Sequence, residues 1–226
     1  MIVNYDSSLG ALPDNIDSKQ RVILDGMLYA FRIIDLAMNR LNVALADISY
    51  EKGDKNYRHF CFTAAYSDVW SIINSIHSIR ELVPKFDSER NSDEVKGFLN
   101  DTEDASLLRN MINHLRGRYE SLAAKKQATW GEIRWVMLSE DGSIKTHLIS
   151  AGAVIEGKIN VENPLGKEVS TGVNLVSLDA HGKTIYLADY IERTTVMARK
   201  LELMISRYSE GLPCTPSDTH MSFEIQ

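Results

Sequence analysis

LLRNMINHLRGRY, residues 107–119, is the stretch that decides the fold prediction. Its apolar residues recur at steps of three and four, which predicts a helix with one core-facing side. The predicted core positions continue beyond the stretch, and they are Leu108, Met111, Ile112, Leu115, Tyr119 and Leu122. On the polar side, Arg109 lies at one edge, while Asn110 and His114 lie one turn apart at the other. A fixed cation and a side chain that exchanges protons near neutral pH therefore share one helix, a combination that phosphodiester chemistry can use.

Two longer helices are predicted before this segment. The first is capped by Asp17 or Ser18 and runs to about residue 49, with apolar residues at alternating steps of three and four. Gly53 marks a turn, and the second helix spans about 57–83, where Pro84 prevents its continuation. A short helix at 95–99 follows. The motif helix is then expected to begin at a cap within 101–104 and to run to about residue 126.

After Trp130 the hydrophobic period changes from that of a helix to that of a strand. Alternating residues predict strands at 133–137, 144–149 and 171–178, with weaker candidates at 154–156 and 159–161. The turns EDGS at 140–143 and AHGK at 180–183 separate such strands. We expect Trp130 and Trp135 to pack the sheet onto the helices. A last helix begins near residue 188 and ends before Gly211 and Pro213.

These elements predict one domain, mainly α with a β insertion. The expected architecture is an antiparallel helical bundle with a small antiparallel sheet between the motif helix and the last helix. Its parts are the bundle at 17–126, the insertion at 130–186, the closing helix at 187–210 and a loose tail at 211–226.

Composition narrows the function classes. The chain has 226 residues, of which 44% are hydrophobic and 25% charged, as in ordinary globular proteins. The formal net charge of −6 argues against a broadly basic nucleic-acid surface, although it allows a local one. Cys61 and Cys214 are too few for a disulfide scaffold or a zinc motif, so we expect no metal and no cofactor. Without a membrane-length apolar run or a basic leader, a cytoplasmic location is expected.

The motif resembles the Arg-x4–6-His signature of HEPN domains, in the variant with a polar residue after the arginine. Arg109-Asn110, three residues and His114 carry this resemblance, and the predicted order of long helices, motif helix and closing helix agrees with it. HEPN proteins are typically homodimers. Many are metal-independent endoribonucleases of toxin–antitoxin, phage-defence or RNA-processing systems.

The resemblance implies a catalytic set of Arg109, Asn110 and His114. Arg116 and Arg118 would contact RNA phosphates. Because minimal-nucleotidyltransferase partners usually accompany a His-x-Tyr sequence, and Leu115-Arg116 follow His114 here, that partner class is not implied. A cognate antitoxin or another protein partner remains within the expectation.

Helix geometry suggests that two chains would share such a site. On one ideal helix, Arg109 and His114 point about 140° apart, so one chain positions them poorly around a single phosphate. Gly117 and Asn113 lie between them, and a glycine in mid-helix would let a second helix approach closely. We therefore expect a homodimer whose contact includes Gly117 and Asn113.

Two further interpretations stay open. One is a catalytically silent HEPN-like dimer that binds a nucleotide, RNA or a protein partner. The other is a scaffold in which the β insertion recognises a partner and the helices only hold it. The acidic net charge favours these two, whereas the intact motif favours the ribonuclease.

Overall fold

The computed structural model describes residues 1–86, 92–117, 119–124, 127–152 and 161–222. Its helices are α1 (Ser18–Ser49), α2 (Lys55–Leu82), α3 (Asp93–Asp101), α4 (Glu103–Asn113), α5 (Tyr119–Ala124) and α6 (Leu187–Tyr208). Its strands are β1 (Ala11–Pro13), β2 (Glu132–Leu138), β3 (Ile144–Ser150), β4 (Gly172–Ala180), β5 (Lys183–Tyr186) and β6 (Cys214–Pro216). The protein is therefore mainly helical with antiparallel sheets, as the sequence predicts at this level.

Helices α1 and α2 form the frame of the molecule. Asp17 caps α1, because its Oδ1 accepts the backbone N–H groups of Lys19 and Gln20 at 2.9 and 3.2 Å. The chain reverses at Gly53, whose φ of 72° is accessible to glycine at little strain. Asp54 then caps α2 by accepting the N–H of Tyr57 at 2.8 Å. Both helices lie within a few residues of the predicted spans.

The core is centred on the seam between these two helices. Steps of four and three residues along α1 bury one continuous stripe: Met27, Phe31, Ile34, Ala37, Leu41 and Leu45. Helix α2 contributes its own buried stripe: Cys61, Ala65, Val69, Ile72, Ile76 and Ile79. This alternation is typical of two helices that pack at a small angle. Cys61 is one of these core residues.

A four-stranded antiparallel sheet, ordered β3-β2-β4-β5, packs against this frame. Trp135 is fully buried, and its Nε1 donates to Ser49 Oγ at 2.9 Å. Tyr66 of α2 donates its hydroxyl to the carbonyl oxygens of Gly131 and Ile149, each at 2.9 Å. The Trp130 ring meets Trp70 edge to face at a centroid distance of 6.1 Å. Trp130 and Trp135 thus pack the sheet region against the helices, as predicted.

The predicted motif helix is wrong in its length. Helix α4 ends at Asn113, His114 is its C-cap with φ −107° and ψ 27°, and a 3₁₀ turn follows at Leu115–Gly117. The apolar spacing continues through this break, but asparagine, histidine and glycine are poor helix formers, and helix ends commonly tighten into 3₁₀ turns. Consequently Tyr119, expected in the core, is exposed, whereas Leu108 and Leu122 are buried.

The C-terminal tail is also more ordered than expected. Cys214–Pro216 pairs with Ala11–Pro13 as a two-stranded antiparallel sheet. Beyond it, Asp218 accepts from Arg32 Nη1 at 2.8 Å and from the hydroxyl of Tyr29, both on α1. Residues 214–218 of the predicted loose tail are therefore held against β1 and α1.

Some predictions fall outside the described residues. The strand candidate at 154–156 lies there, as do Arg118 and most of the candidate at 159–161, of which Val161 alone is described and belongs to no strand. None of the described helices combines the length and the apolar character that a membrane crossing requires.

Candidate functional site

Arg109 is held in place by two amide side chains of its own helix. Its Nη1 donates to Asn110 Oδ1 at 3.3 Å. With the Asn113 amide oriented to satisfy both groups, Asn113 Oδ1 accepts from Arg109 Nε at 2.9 Å and from Nη1 at 3.2 Å. Because amides are neutral, they orient the guanidinium without cancelling its charge.

This arrangement differs from that of three other described arginines, whereas Arg21 and Arg80, like Arg109, contact only neutral oxygens among the described residues. Arg32, Arg40 and Arg134 each contact a carboxylate within the chain, at Asp218, Asp68 and Glu132 respectively. Within the ranges that the structure describes, Arg109 has no carboxylate within ion-pairing distance. A half-buried guanidinium with an uncompensated charge is suited to an anionic ligand, since it can offer paired N–H groups to phosphate oxygens.

His114 is the C-cap of α4. Its backbone N–H donates to Asn110 O at 3.1 Å, and its side chain is exposed. Among the described residues, no hydrogen bond or ion pair engages its imidazole. The sequence predicts that Asn110 and His114 lie one turn apart at one edge of the helix. Because His114 lies outside the regular helix, only the backbone hydrogen bond between the two residues agrees with that prediction.

Two further residues of the motif segment lie on the surface just after the C-terminal end of α4. Arg116 and Gly117 are exposed within the 3₁₀ turn, where a Cβ on Gly117 would meet no atom within 4 Å. The prediction treats Gly117 as a mid-helix glycine that costs stability, and this premise is wrong because the glycine ends a turn. Asn113, expected at the dimer contact, positions Arg109 within its own chain.

A second polar group lies where α2 meets α4. His77 Nδ1 is 2.8 Å from Ser106 Oγ, and Arg80 Nε donates to the same oxygen at 3.0 Å. Arg80 Nη1 also donates to Thr102 Oγ1 at 2.7 Å and to Leu99 O. Because Ser106 Oγ accepts from Arg80, its own hydroxyl hydrogen is free to donate to His77 Nδ1. This hydrogen bond favours the neutral imidazole that carries its proton on Nε2.

Arg109 acts electrostatically on this histidine. Burial lowers the pKa of His77 most strongly, and the positive charge of Arg109 lowers it further, as does that of Arg80. Glu81 opposes these effects by raising the pKa. His77 is therefore neutral near neutral pH, and it senses the charge of the arginine that the motif singles out.

Sequence reasoning does not identify this cluster of His77, Arg80 and Ser106. The available signal was that His77 and Arg80 are three residues apart on α2, as Ser106 and Arg109 are on α4, so each pair shares a helix face.

The described residues contain no group of three or more His, Cys, Asp or Glu side chains that could hold a metal ion. Comparison of the chain with models of known protein families, with curated proteins and with solved structures finds no match.

Proposed function

We propose that this protein is a homodimeric, metal-independent endoribonuclease of the HEPN type, with Arg109, Asn110 and His114 as its catalytic residues. The observation that supports the proposal is the state of Arg109, which neighbouring amides orient and no described carboxylate neutralises. This is the state that a phosphate-binding arginine needs. The motif resemblance supplies the class of reaction.

In this mechanism RNA provides its own nucleophile. His114 accepts the proton of a 2′-hydroxyl, the 2′-oxygen bonds to the adjacent phosphorus, and the bond from phosphorus to the 5′-oxygen breaks. The departing 5′-oxygen takes up a proton from water, and the protonated His114 returns its proton to the solvent. Arg109 stabilises the charge that accumulates on the non-bridging oxygens. The products are a 2′,3′-cyclic phosphate and a 5′-hydroxyl.

The proposed site draws on two chains. The exposed His114 of one copy would act on a phosphate held by Arg109 of the other, in a dimer whose contact includes Asn113 and Gly117. Arg116 and Arg118 would hold flanking phosphates. Steering by such a local basic group fits a chain whose net charge is −6 better than a broadly basic surface does.

Cleavage of a labelled single-stranded RNA tests the proposal. His114→Ala and Arg109→Ala should each reduce cleavage at least ~100-fold, since single general acid–base groups contribute about that much. Arg109→Lys should also fail, because an ammonium lacks the planar fork. Matched controls are His59→Ala and Arg58→Ala, which remove exposed side chains at the far end of α2 and should leave cleavage unchanged.

Mixing the two inactive variants tests the shared site. Equal amounts of His114→Ala and Arg109→Ala should regain part of the wild-type activity, since a mixed dimer keeps one intact Arg109–His114 pair. Cleavage should persist in EDTA. RNA that stays intact with the wild-type protein, or cleavage that survives His114→Ala, contradicts the ribonuclease; a mixture that stays inactive contradicts the shared site.

The acidic net charge favours one alternative, a silent dimer that binds a nucleotide, RNA or a protein partner. It differs from the ribonuclease in one measurable respect. Fluorescence anisotropy would detect RNA binding that Arg109→Ala weakens, while the bound RNA remains uncut.

A further inference from the structure

Exposed apolar residues recur along the outer side of α1 and at its C-cap Tyr50, with the exposed Asn39 and Arg40 among them. Val22, Tyr29, Leu36, Val43 and Tyr50 recur at intervals of seven residues, and Ile33 lies beside them. Each of these six side chains is between 44% and 69% exposed. We call these six residues the α1 stripe. A helix that packs in a globular core normally places polar residues on its outer line, so an apolar residue in every heptad indicates a second packing surface.

Three charged groups that border the α1 stripe are already paired within the chain. Arg32 contacts Asp218 at 2.8 Å, Arg40 contacts the buried carboxylate of Asp68, and Asp47 contacts Lys52 at 2.7 Å. A partner that covers the stripe therefore leaves these three charges with their counter-ions, whereas Asp25, between Val22 and Tyr29, has a buried Oδ1 without a hydrogen-bond partner among the described residues. Keeping the three pairs lowers the desolvation penalty of covering the face.

We propose that the α1 stripe binds the same stripe of a second copy of this chain, with the two α1 helices antiparallel and a two-fold axis at Leu36. In this register Leu36 meets Leu36, each Tyr29 faces a Val43, and each Tyr50 faces a Val22. Each tyrosine of the stripe thus opposes a valine, which is a self-complementary pairing of the kind that an isologous contact requires. Two parallel helices in register would instead place tyrosine against tyrosine and valine against valine.

A groove beside Val43 fits this arrangement. It runs between α1 and α2 and has a volume of about 620 Å³. Its lining includes the apolar Ala44, Phe60 and Ala64 together with polar side chains such as Asn39 and Thr63. Tyr29 of the second copy lies opposite Val43, and its ring, whose hydroxyl stays bonded to Asp218 of its own chain, would cover the opening of this groove. Phe60, exposed at the groove, supplies a surface for the ring.

The area is sufficient for a specific dimer. Six side chains of this size, each about half exposed, present on the order of 600 Å² per chain. Two copies would bury about 1,200 Å², which reaches the lower limit of standard-size interfaces. The α1 helix is about 48 Å long at 1.5 Å per residue, so the stripe offers the contact over most of that length.

This contact is separate from the one proposed at Gly117, because it uses α1 instead of the motif segment, and a chain that makes both contacts would assemble beyond a dimer. Gly117→Leu is designed to remove the contact at Gly117, so sedimentation velocity of this variant measures the α1 contact alone. This variant should remain a dimer, and adding Leu36→Asp should weaken self-association at least ~100-fold, since two carboxylates would be buried at the axis. The matched control is Leu203→Asp, which changes an exposed leucine on α6 and should leave the dimer intact.

Cysteine cross-linking tests the antiparallel register, in a background with the exposed Cys214 replaced by serine. Leu36→Cys should form a disulfide dimer on mild oxidation. Val22→Cys and Tyr50→Cys should each fail alone and cross-link when mixed. A Gly117→Leu protein that is monomeric, a dimer that tolerates Leu36→Asp, or cross-linking of Val22→Cys with itself would overturn the proposal. These outcomes are independent of RNA cleavage.

Discussion

The α1–α2 pair and the α4–α5 segment have similar apolar spacing but different structures. Helix α1 continues for 32 residues from a capped start, and its buried stripe has a partner along its length. Helix α4 ends after 11 residues, although the apolar pattern of its sequence continues to Leu122. Spacing therefore predicts which face is buried, whereas continuity depends on packing and on residue propensity at each turn.

The largest expected contrast lies between core residues of the two regions. Ile34→Ala, at a fully buried position of α1, should lower the free energy of unfolding by about 3 kcal/mol, because it leaves a cavity in the seam. Leu115→Ala, at a half-buried position of the 3₁₀ turn, should lower it by about 1 kcal/mol because less contact is lost. Urea titration at one fixed protein concentration measures both. Equal losses would mean that the turn belongs to the same cooperative core as the seam.

Glycines give the second contrast. A Cβ at Gly53 would lie 2.5 Å from Tyr57 Cδ1, and its φ of 72° is strained for alanine. Gly53→Ala should therefore destabilise the protein by about 1–2 kcal/mol. Gly117→Ala meets open space at an ordinary φ, so it should be neutral or stabilising by about 0.5 kcal/mol. Thermal unfolding of the two variants makes the comparison, and a loss at Gly117 equal to that at Gly53 would show that the turn requires its glycine.

Local patterns explain most of what the sequence predicts correctly. Asp17 and Asp54 are capping residues placed before periodic runs, and the turn at His181–Gly182 has positive φ at both positions, as a tight hairpin needs. The short strand β5 is not predicted from the sequence. It forms because its residues pair with β4 across the turn. The pairing of β1 with β6 joins residues about 200 positions apart, for which no local signal exists.

The candidate site shows the same division. Arg109, Asn110 and Asn113 are close because they share one helix, so the sequence could place them together. Ser106 meets His77 across 29 residues and a helix–helix contact, and this meeting depends on how α4 lies against α2. The helix break at His114 was missed because the apolar residues on either side preserve the helical spacing. Propensity at Asn113, His114 and Gly117 was the only local warning.

The smallest expected effect tests whether the two regions communicate through charge, since His77 belongs to α2 and Arg109 to α4. Burial and Arg109 both hold the pKa of His77 below its ordinary value. Arg109→Gln removes the second cause and keeps an amide at that position, so the pKa of His77 should rise while remaining below that value because burial persists. The His77 ring resonances in an NMR pH titration report this shift, and Arg58→Gln, a change far along α2, is the matched control.

The same histidine predicts the sign of a stability change. Because its folded pKa lies below its unfolded pKa, the unfolded chain binds the proton more tightly. The contribution of His77 is therefore fully present above the unfolded pKa of about 6.5 and declines as the pH falls through that value towards the lowered folded pKa. His77→Gln should reduce the dependence of the urea midpoint on pH over this range, and Arg109→Gln should reduce it in part. Arg109→Gln could instead leave the pKa of His77 and the pH dependence of the urea midpoint at wild-type values. That result would show that the charge of Arg109 has no effect on His77.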